Sequence, residues 1–120
     1  MSLTLLSIAG ATLPGEDRTA LPVDSFSWGS SDGSLTTLDI VRALNQTSPQ
    51  VVTLFRSGGT SRAVLDAFDD AGERRLELDL TDAKVTRYAV SGGAADPLEL
   101  FTLDAARVQM TVGDAVAVVP

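Results

Sequence analysis

The sequence predicts a single, mainly β domain with one short helix, and three observations carry that expectation. The chain has 120 residues, 44% of them hydrophobic, enough to bury about two-thirds of the unfolded surface around one core but not around two. Only six side chains are aromatic, Phe26, Trp28, Phe55, Phe68, Tyr88 and Phe101, so Val, Leu, Ile and Ala must fill that core, which suits thin sheet packing better than a bulky bundle. Short apolar-polar alternations recur along the chain, each closed by Gly, Pro or Asp, as half-buried strands require.

Residues 3–8 read as a first strand closed by Gly10, followed by a turn over 13–17. Residues 21–28 place Leu21, Val23, Ser25 and Ser27 on one side and Asp24, Phe26 and Trp28 on the other, an imperfect alternation that still suits a strand. Residues 29–33 break it. Residues 35–45 admit two readings. As a strand they align Leu38, Ile40 and Leu44 with Arg42 among them; as a helix capped by Thr37 they bring Leu38, Val41 and Leu44 to one side, and pattern alone favours the helix. Ser48 then suits an N-cap, Pro49 the first helical position, and Gly58-Gly59 a stop, so 48–57 is expected as a helix despite Val51-Val52-Thr53.

Residues 63–69 and 74–80 flank a hairpin loop, with Leu76, Leu78 and Leu80 alternating against Glu77, Asp79 and Thr81. Past Asp82 the apolar phase shifts to Ala83 and Val85, which predicts a bulge or a bend between two sheets. A loop over 91–97 leads to Leu98, Leu100, Ala106, Val108, Met110 and Val112, which share one parity and predict a single last strand interrupted by Asp104. Residues 113–120 are apolar enough for an added strand or an inter-subunit contact, and a tail is the alternative. The expected unit is one domain over 1–112, with 113–120 attached to it.

Sixteen acidic residues against nine basic ones give a net charge of −7, which opposes binding to nucleic acid or anionic membrane. Arg74-Arg75 is flanked by Glu73 and Glu77. No run approaches the length of a membrane-spanning helix, and residues 2–13 lack the basic start and long apolar core of a secretory signal. The chain has no cysteine and no histidine, which excludes disulfides, thiolate and imidazole metal sites, and triads built on either residue. Glu77 and Asp79 share a strand face and Asp66, Asp69, Asp70 and Glu73 gather around a hairpin, but no apolar neighbour or cleft drives two carboxylate pKa values apart as a glycosidase requires. The loops 29–33, 57–62 and 91–94 lack the Gly-Lys-Ser/Thr and G-x-G-x-x-G patterns that hold phosphates and read as turns. Lys84, the sole lysine, reads as a surface charge that discourages edge pairing. No catalytic, metal or cofactor residue is expected. Trp28 reads as a core or interface anchor, and Trp28, Gly29, Ser30, Ser31, Asp32 and Gly33 form the candidate assembly segment.

In order, the chain presents Phe26-Ser-Trp-Gly29, Leu38-Asp-Ile40, Thr47-Ser-Pro49, a long Leu-Glu-Leu-Asp-Leu-Thr-Asp-Ala-Lys-Val stretch over 76–85, and Ser91-Gly-Gly93. This order resembles the haemolysin-coregulated protein (Hcp) family, the tube-forming proteins of type VI secretion systems, similar in turn to phage tail-tube proteins. The resemblance spans about residues 3–112. It implies a two-sheet β-barrel or sandwich with one helix near 48–57, and a strand rather than a helix over 35–45. It further implies a non-enzymatic subunit of a homo-oligomeric, hexameric ring that is assembled in the cytoplasm and exported without a signal peptide, with sheath, spike or effector proteins as partners. Residues 29–34 are shorter than the extension that reaches the neighbouring ring in that family, so rings are expected more readily than tight stacking. The alternative expectation is a monomeric β-sandwich binding module that uses Trp28 and its adjacent loop.

Overall fold

The computed structural model describes residues 3–8, 20–29, 35–44, 48–93 and 96–119. Nine strands and one helix follow one another as β1 (Leu3–Ile8), β2 (Ala20–Pro22), β3 (Ser25–Trp28), β4 (Thr37–Ala43), α1 (Ser48–Ser57), β5 (Ser61–Phe68), β6 (Arg74–Ser91), β7 (Leu98–Asp104), β8 (Arg107–Val112) and β9 (Ala115–Val119). Every described pairing is antiparallel, in two sheets that share β6. Sheet A runs β2-β1-β5-β6-β8-β9, and sheet B runs β6-β7-β4-β3.

Besides the passage from β4 in sheet B through α1 to β5 in sheet A, the chain changes sheet at three corners, and each has a local cause. In β6 the change follows Asp82, which takes a left-handed φ of 53°, a conformation that Asp tolerates better than most non-glycine residues. There the pairing with β5 jumps from Ala63↔Leu80 to Ser61↔Ala83, the bend that the phase shift past Asp82 predicts. The second corner lies between adjacent residues: Val23 N–H bonds Thr4 O in sheet A at 3.0 Å, and Asp24 N–H bonds Val41 O in sheet B at 2.9 Å. At the third, Ala105 N–H reaches Thr36 O and Ala106 N–H reaches Thr81 O, both at 3.0 Å. Backbone donors therefore stay satisfied while the strand direction turns, and the two sheets curl into a barrel-like pair.

Between the sheets, Leu6, Leu65, Leu78, Leu80 and Val108 face Leu38, Ile40, Phe101 and Leu103, all buried. Each such side chain contributes about 1.5–3 kcal/mol relative to exposure. Residues 35–45 form strand β4, so the helical reading by pattern alone is overturned: Thr37 to Ala43 pair residue for residue with β7, and the alternation Leu38, Ile40, Arg42 is the buried one. Tertiary pairing overrides a weak local helical spacing. The single last strand over 98–112 is also corrected to two, β7 and β8, and residues 115–119 form the added strand β9. In β7 the inward residues are Glu99, Phe101 and Leu103, whereas Leu98 and Leu100 face out, because the corner at 105–106 resets the parity before β8.

Helix α1 spans the expected residues. Pro49 sits in its first turn, where its missing N–H costs nothing, and Gly58 ends it with a φ of 68° and an N–H to Leu54 O at 3.3 Å. The helix packs against β6 through buried Val51 and through Phe55, whose ring lies 6.4 Å from that of Tyr88. Beneath it a charged group is sealed inside: Arg42 Nε donates to Glu99 Oε1 at 2.5 Å with both side chains fully buried, Tyr88 donates its hydroxyl to Glu99 Oε2 at 2.6 Å, and Arg42 lies 5.8 Å from the centre of the Phe101 ring. Burial, with the adjoining Glu99 carboxylate, pushes the Tyr88 phenol well above its ordinary range.

Two expectations follow from this buried group. Arg42→Met leaves the Glu99 carboxylate buried without its cation and lowers urea-measured stability by about 3–5 kcal/mol, whereas Arg42→Met with Glu99→Leu recovers most of the loss; equal losses in the single and double variants would refute the pairing. Tyr88 is the only tyrosine, so tyrosinate absorbance reads it alone. A raised folded-state value means its contribution is complete below the unfolded phenol range and is lost as pH rises beyond it. Absorbance should therefore appear only above that range, together with loss of β-sheet circular dichroism; titration at the ordinary tyrosine value would contradict the buried hydroxyl bond.

Candidate assembly surface

Sheet B has two edges that no described strand covers. Strand β3 pairs on one side with β4, and residues 84–91 of β6 pair on one side with β7; no described strand covers the other side of either. The two edges differ in charge. Residues 84–91 carry Lys84 and Arg87 and no carboxylate, whereas β3 follows Asp24 and has Asp39 opposite Ser27. The register aligns these groups in one row across the exposed face: Arg87 opposite Thr102, Thr102 opposite Asp39, and Asp39 opposite Ser27. Thr102 Oγ1 donates to Asp39 Oδ1 at 2.6 Å, fixing the acidic side of the row. A shallow cavity of about 270 Å³ lies over this face, lined by Asp39, Val41, Arg87, Ala89, Leu100 and Thr102 among others. That volume is below the usual range for small-molecule pockets.

Trp28 ends β3 half-buried against the core. Its indole N–H donates to Leu35 O at 2.7 Å, holding Leu35 in a left-handed φ of 51°, a conformation that costs a non-glycine residue of this size about 1 kcal/mol or more. The tryptophan thus joins the two ends of the loop it precedes. Gly29 is exposed, and Ser30, Ser31, Asp32 and Gly33 lie outside the described residues.

The acidic groups singled out by the sequence serve the turn and the strand face. Asp69 Oδ1 accepts from Ala71 N and Glu73 N at 2.9 and 3.0 Å, and Arg75 donates to Oδ2 at 2.7 Å. The Glu73 amide bond, followed by the Arg75 pairing, holds the Asp69 carboxyl below its usual value. Glu77 pairs with Arg74 at 2.6 Å and Asp79 with Arg62 at 2.7 Å. Among the described residues no group of three or more His, Cys, Asp or Glu side chains converges as a metal site, and no helix is long and apolar enough to cross a membrane. Lys84 is exposed and lies beside Gly58, its Cε 3.8 Å from where a Cβ would sit, close to the negative end of α1.

Sequence reasoning did not find the Arg42–Glu99–Tyr88 group. One signal existed, a charged residue in the apolar parity of β4; Glu99 was hidden because its neighbours Leu98 and Leu100 drew the parity of β7 the wrong way.

Trp28→Ala should cost about 2–3 kcal/mol in urea unfolding, less than a full core deletion because the ring is half-buried. Trp28→Phe, which keeps the ring but strands the Leu35 carbonyl, should cost about 1 kcal/mol. An unchanged midpoint in both variants would mean that the indole holds nothing.

Neither a protein-family model nor a curated protein matches the sequence. Solved structures match it closely in fold. The crystal structure of Hcp1 from Salmonella typhimurium superposes with a TM-score of 0.79 at 18% identity, covering 98% of this chain and 91% of that one. The secreted protein Hcp3 from Pseudomonas aeruginosa gives 0.81 at 13% identity, covering 98% and 97%. A type VI secretion system effector from Yersinia pestis gives 0.76 at 15% identity, covering 96% and 95%. This chain has the Hcp fold over nearly its whole length.

Proposed function

We propose that this protein is the ring-forming tube subunit of a type VI secretion or related contractile tail-like apparatus, a structural protein rather than an enzyme. The observation that carries the reading is sheet B itself, four strands wide, with no described strand beyond β3 or beyond the end of β6, the β6 edge basic and the β3 edge uncharged but preceded by Asp24 and backed by Asp39 on β4. An exposed edge is a template for pairing with another chain, and a head-to-tail contact between unlike edges closes into a ring when its rotation allows. The Hcp fold supports a hexamer. In such a ring the Arg87–Thr102–Asp39–Ser27 row of one copy meets Arg87 of the next, and the segment Trp28, Gly29, Ser30, Ser31, Asp32 and Gly33 lies beside the joint. Assembly in the cytoplasm, export without a cleaved signal, effectors carried in the lumen, and sheath or spike partners belong to the same proposal.

A monomeric binding module built on Trp28 fits less well, because the indole N–H is already committed to Leu35 O and the nearby cavity is small. Electron microscopy and native mass measurement of the purified protein separate the two. Rings are expected, and monomer alone at high micromolar concentration would overturn the proposal. Arg87→Glu should disperse the rings, and Arg87→Glu combined with Asp39→Arg should restore them in part; rings untouched by Arg87→Glu would show that the joint lies elsewhere.

A further inference from the structure

A different edge, at the far end of sheet A, carries its own signal. Strand β9 pairs only with β8 among the described strands, so no described strand covers its outer row of backbone donors and acceptors. Its sequence is Ala115-Val-Ala-Val-Val119, without a charge, and Val116 and Val118 are 58% and 49% exposed. Proteins usually blunt such edges with Lys, Pro or shortness. Strand β2 follows that rule, with three residues ending in Pro22; β9 does not.

We infer that β9 is a self-pairing edge, which joins antiparallel to β9 of a second copy about a two-fold axis with Ala117 opposite Ala117. Two features commit the edge to that occupant. The first is charge. Each copy carries −7, so two copies meet at least cost through a surface without carboxylates, and residues 115–119 contain none. The second is the alternation, which is self-complementary. With Ala117 on the axis, Val116 of each copy faces Val118 of the other, giving two β-branched cross-strand pairs of the kind that stabilises antiparallel sheets. A contact of this kind uses one patch twice and is closed, so it yields a dimer and not a fibre. Five residues a side bury less than the roughly 1,000 Å² of a stable interface, so single copies pair weakly, and objects that present several β9 edges pair through avidity.

The absence of cysteine gives a clean test that needs no rings. Directly opposed residues in an antiparallel pair have Cα atoms about 4.5–5.5 Å apart, within disulfide reach. Under mild oxidation, Ala117→Cys should form covalent dimers at least about tenfold faster than Ala71→Cys in the exposed 69–73 loop, because pairing raises the local thiol concentration. Val116→Cys alone should lag, whereas a mixture of Val116→Cys and Val118→Cys should give heterodimers. Adding Val118→Lys to Ala117→Cys should abolish the advantage while circular dichroism stays unchanged. Equal rates for Ala117→Cys and Ala71→Cys overturn the inference. So does preferential cross-linking of Ala117→Cys to Ser27→Cys, which would place β9 on the β3 edge instead. Loss of rings in Arg87→Glu with the Ala117→Cys cross-link intact would count against neither idea, since the two contacts use different sheets.

Discussion

The fold depends on β6 being one strand in two sheets. Its eighteen residues pair with β5 and β8 in their first half and with β7 in their second, so every described strand is tied to it directly or through one or two neighbours. A strand of that length cannot stay flat between two facing sheets, and the left-handed residue at Asp82 provides the turn. The corners at 23–24 and 105–106 repeat the same solution, passing the backbone from one sheet to the other without leaving a donor unpaired. Once β6 bends, the inner faces oppose each other and a thin core of aliphatic side chains suffices. That is the composition of this chain.

The bend also leaves an end to close, and α1 closes it over the Arg42–Glu99–Tyr88 group. A buried ion pair is weak evidence of stability, since its desolvation offsets much of the attraction. What it does secure is register. Arg42 and Glu99 are opposed in the β4–β7 ladder, and a slip of one residue would turn both charges to the other face and leave the Tyr88 hydroxyl without its acceptor. Hydrophobic alternation alone is less selective here, because β7 carries leucines on both faces, Leu98 and Leu100 outward and Leu103 inward.

That ambiguity explains what the sequence revealed and what it concealed. Elements set by local chemistry were legible: helix α1 from Ser48-Pro49 and Gly58-Gly59, the hairpin around Asp69, and the bulge after Asp82 from its change of phase. Elements set by pairing were not. Strand β4 has helical spacing that its partners β3 and β7 overrule, and no property of residues 98–112 alone announces a corner at 105–106. The order of short motifs supplied the strand over 35–45 because it encoded whole-fold information that periodicity lacks. The candidate segment at the end of β3 was legible only in part, as a tryptophan at the close of an alternation. Its hydrogen bond to Leu35 is a loop closure that spacing cannot display.

The chain engages Asp39, Asp69, Glu77, Asp79 and Glu99 with arginines, a threonine, a tyrosine or backbone amides. What it has in quantity is edge. Four strand edges are left uncovered by described strands: β2, short and closed by Pro22, and those of β3, the end of β6 and β9, which differ in character as preceded by an acidic residue, basic, and neutral. Edges that differ in charge favour unlike pairing and disfavour their own kind, so β3 and the end of β6 are suited to a directional, repeating contact. A neutral, self-complementary edge favours its own kind and stops at two. The same small barrel can therefore sustain two contacts of different symmetry without confusing them, because the charges that steer one are absent from the other.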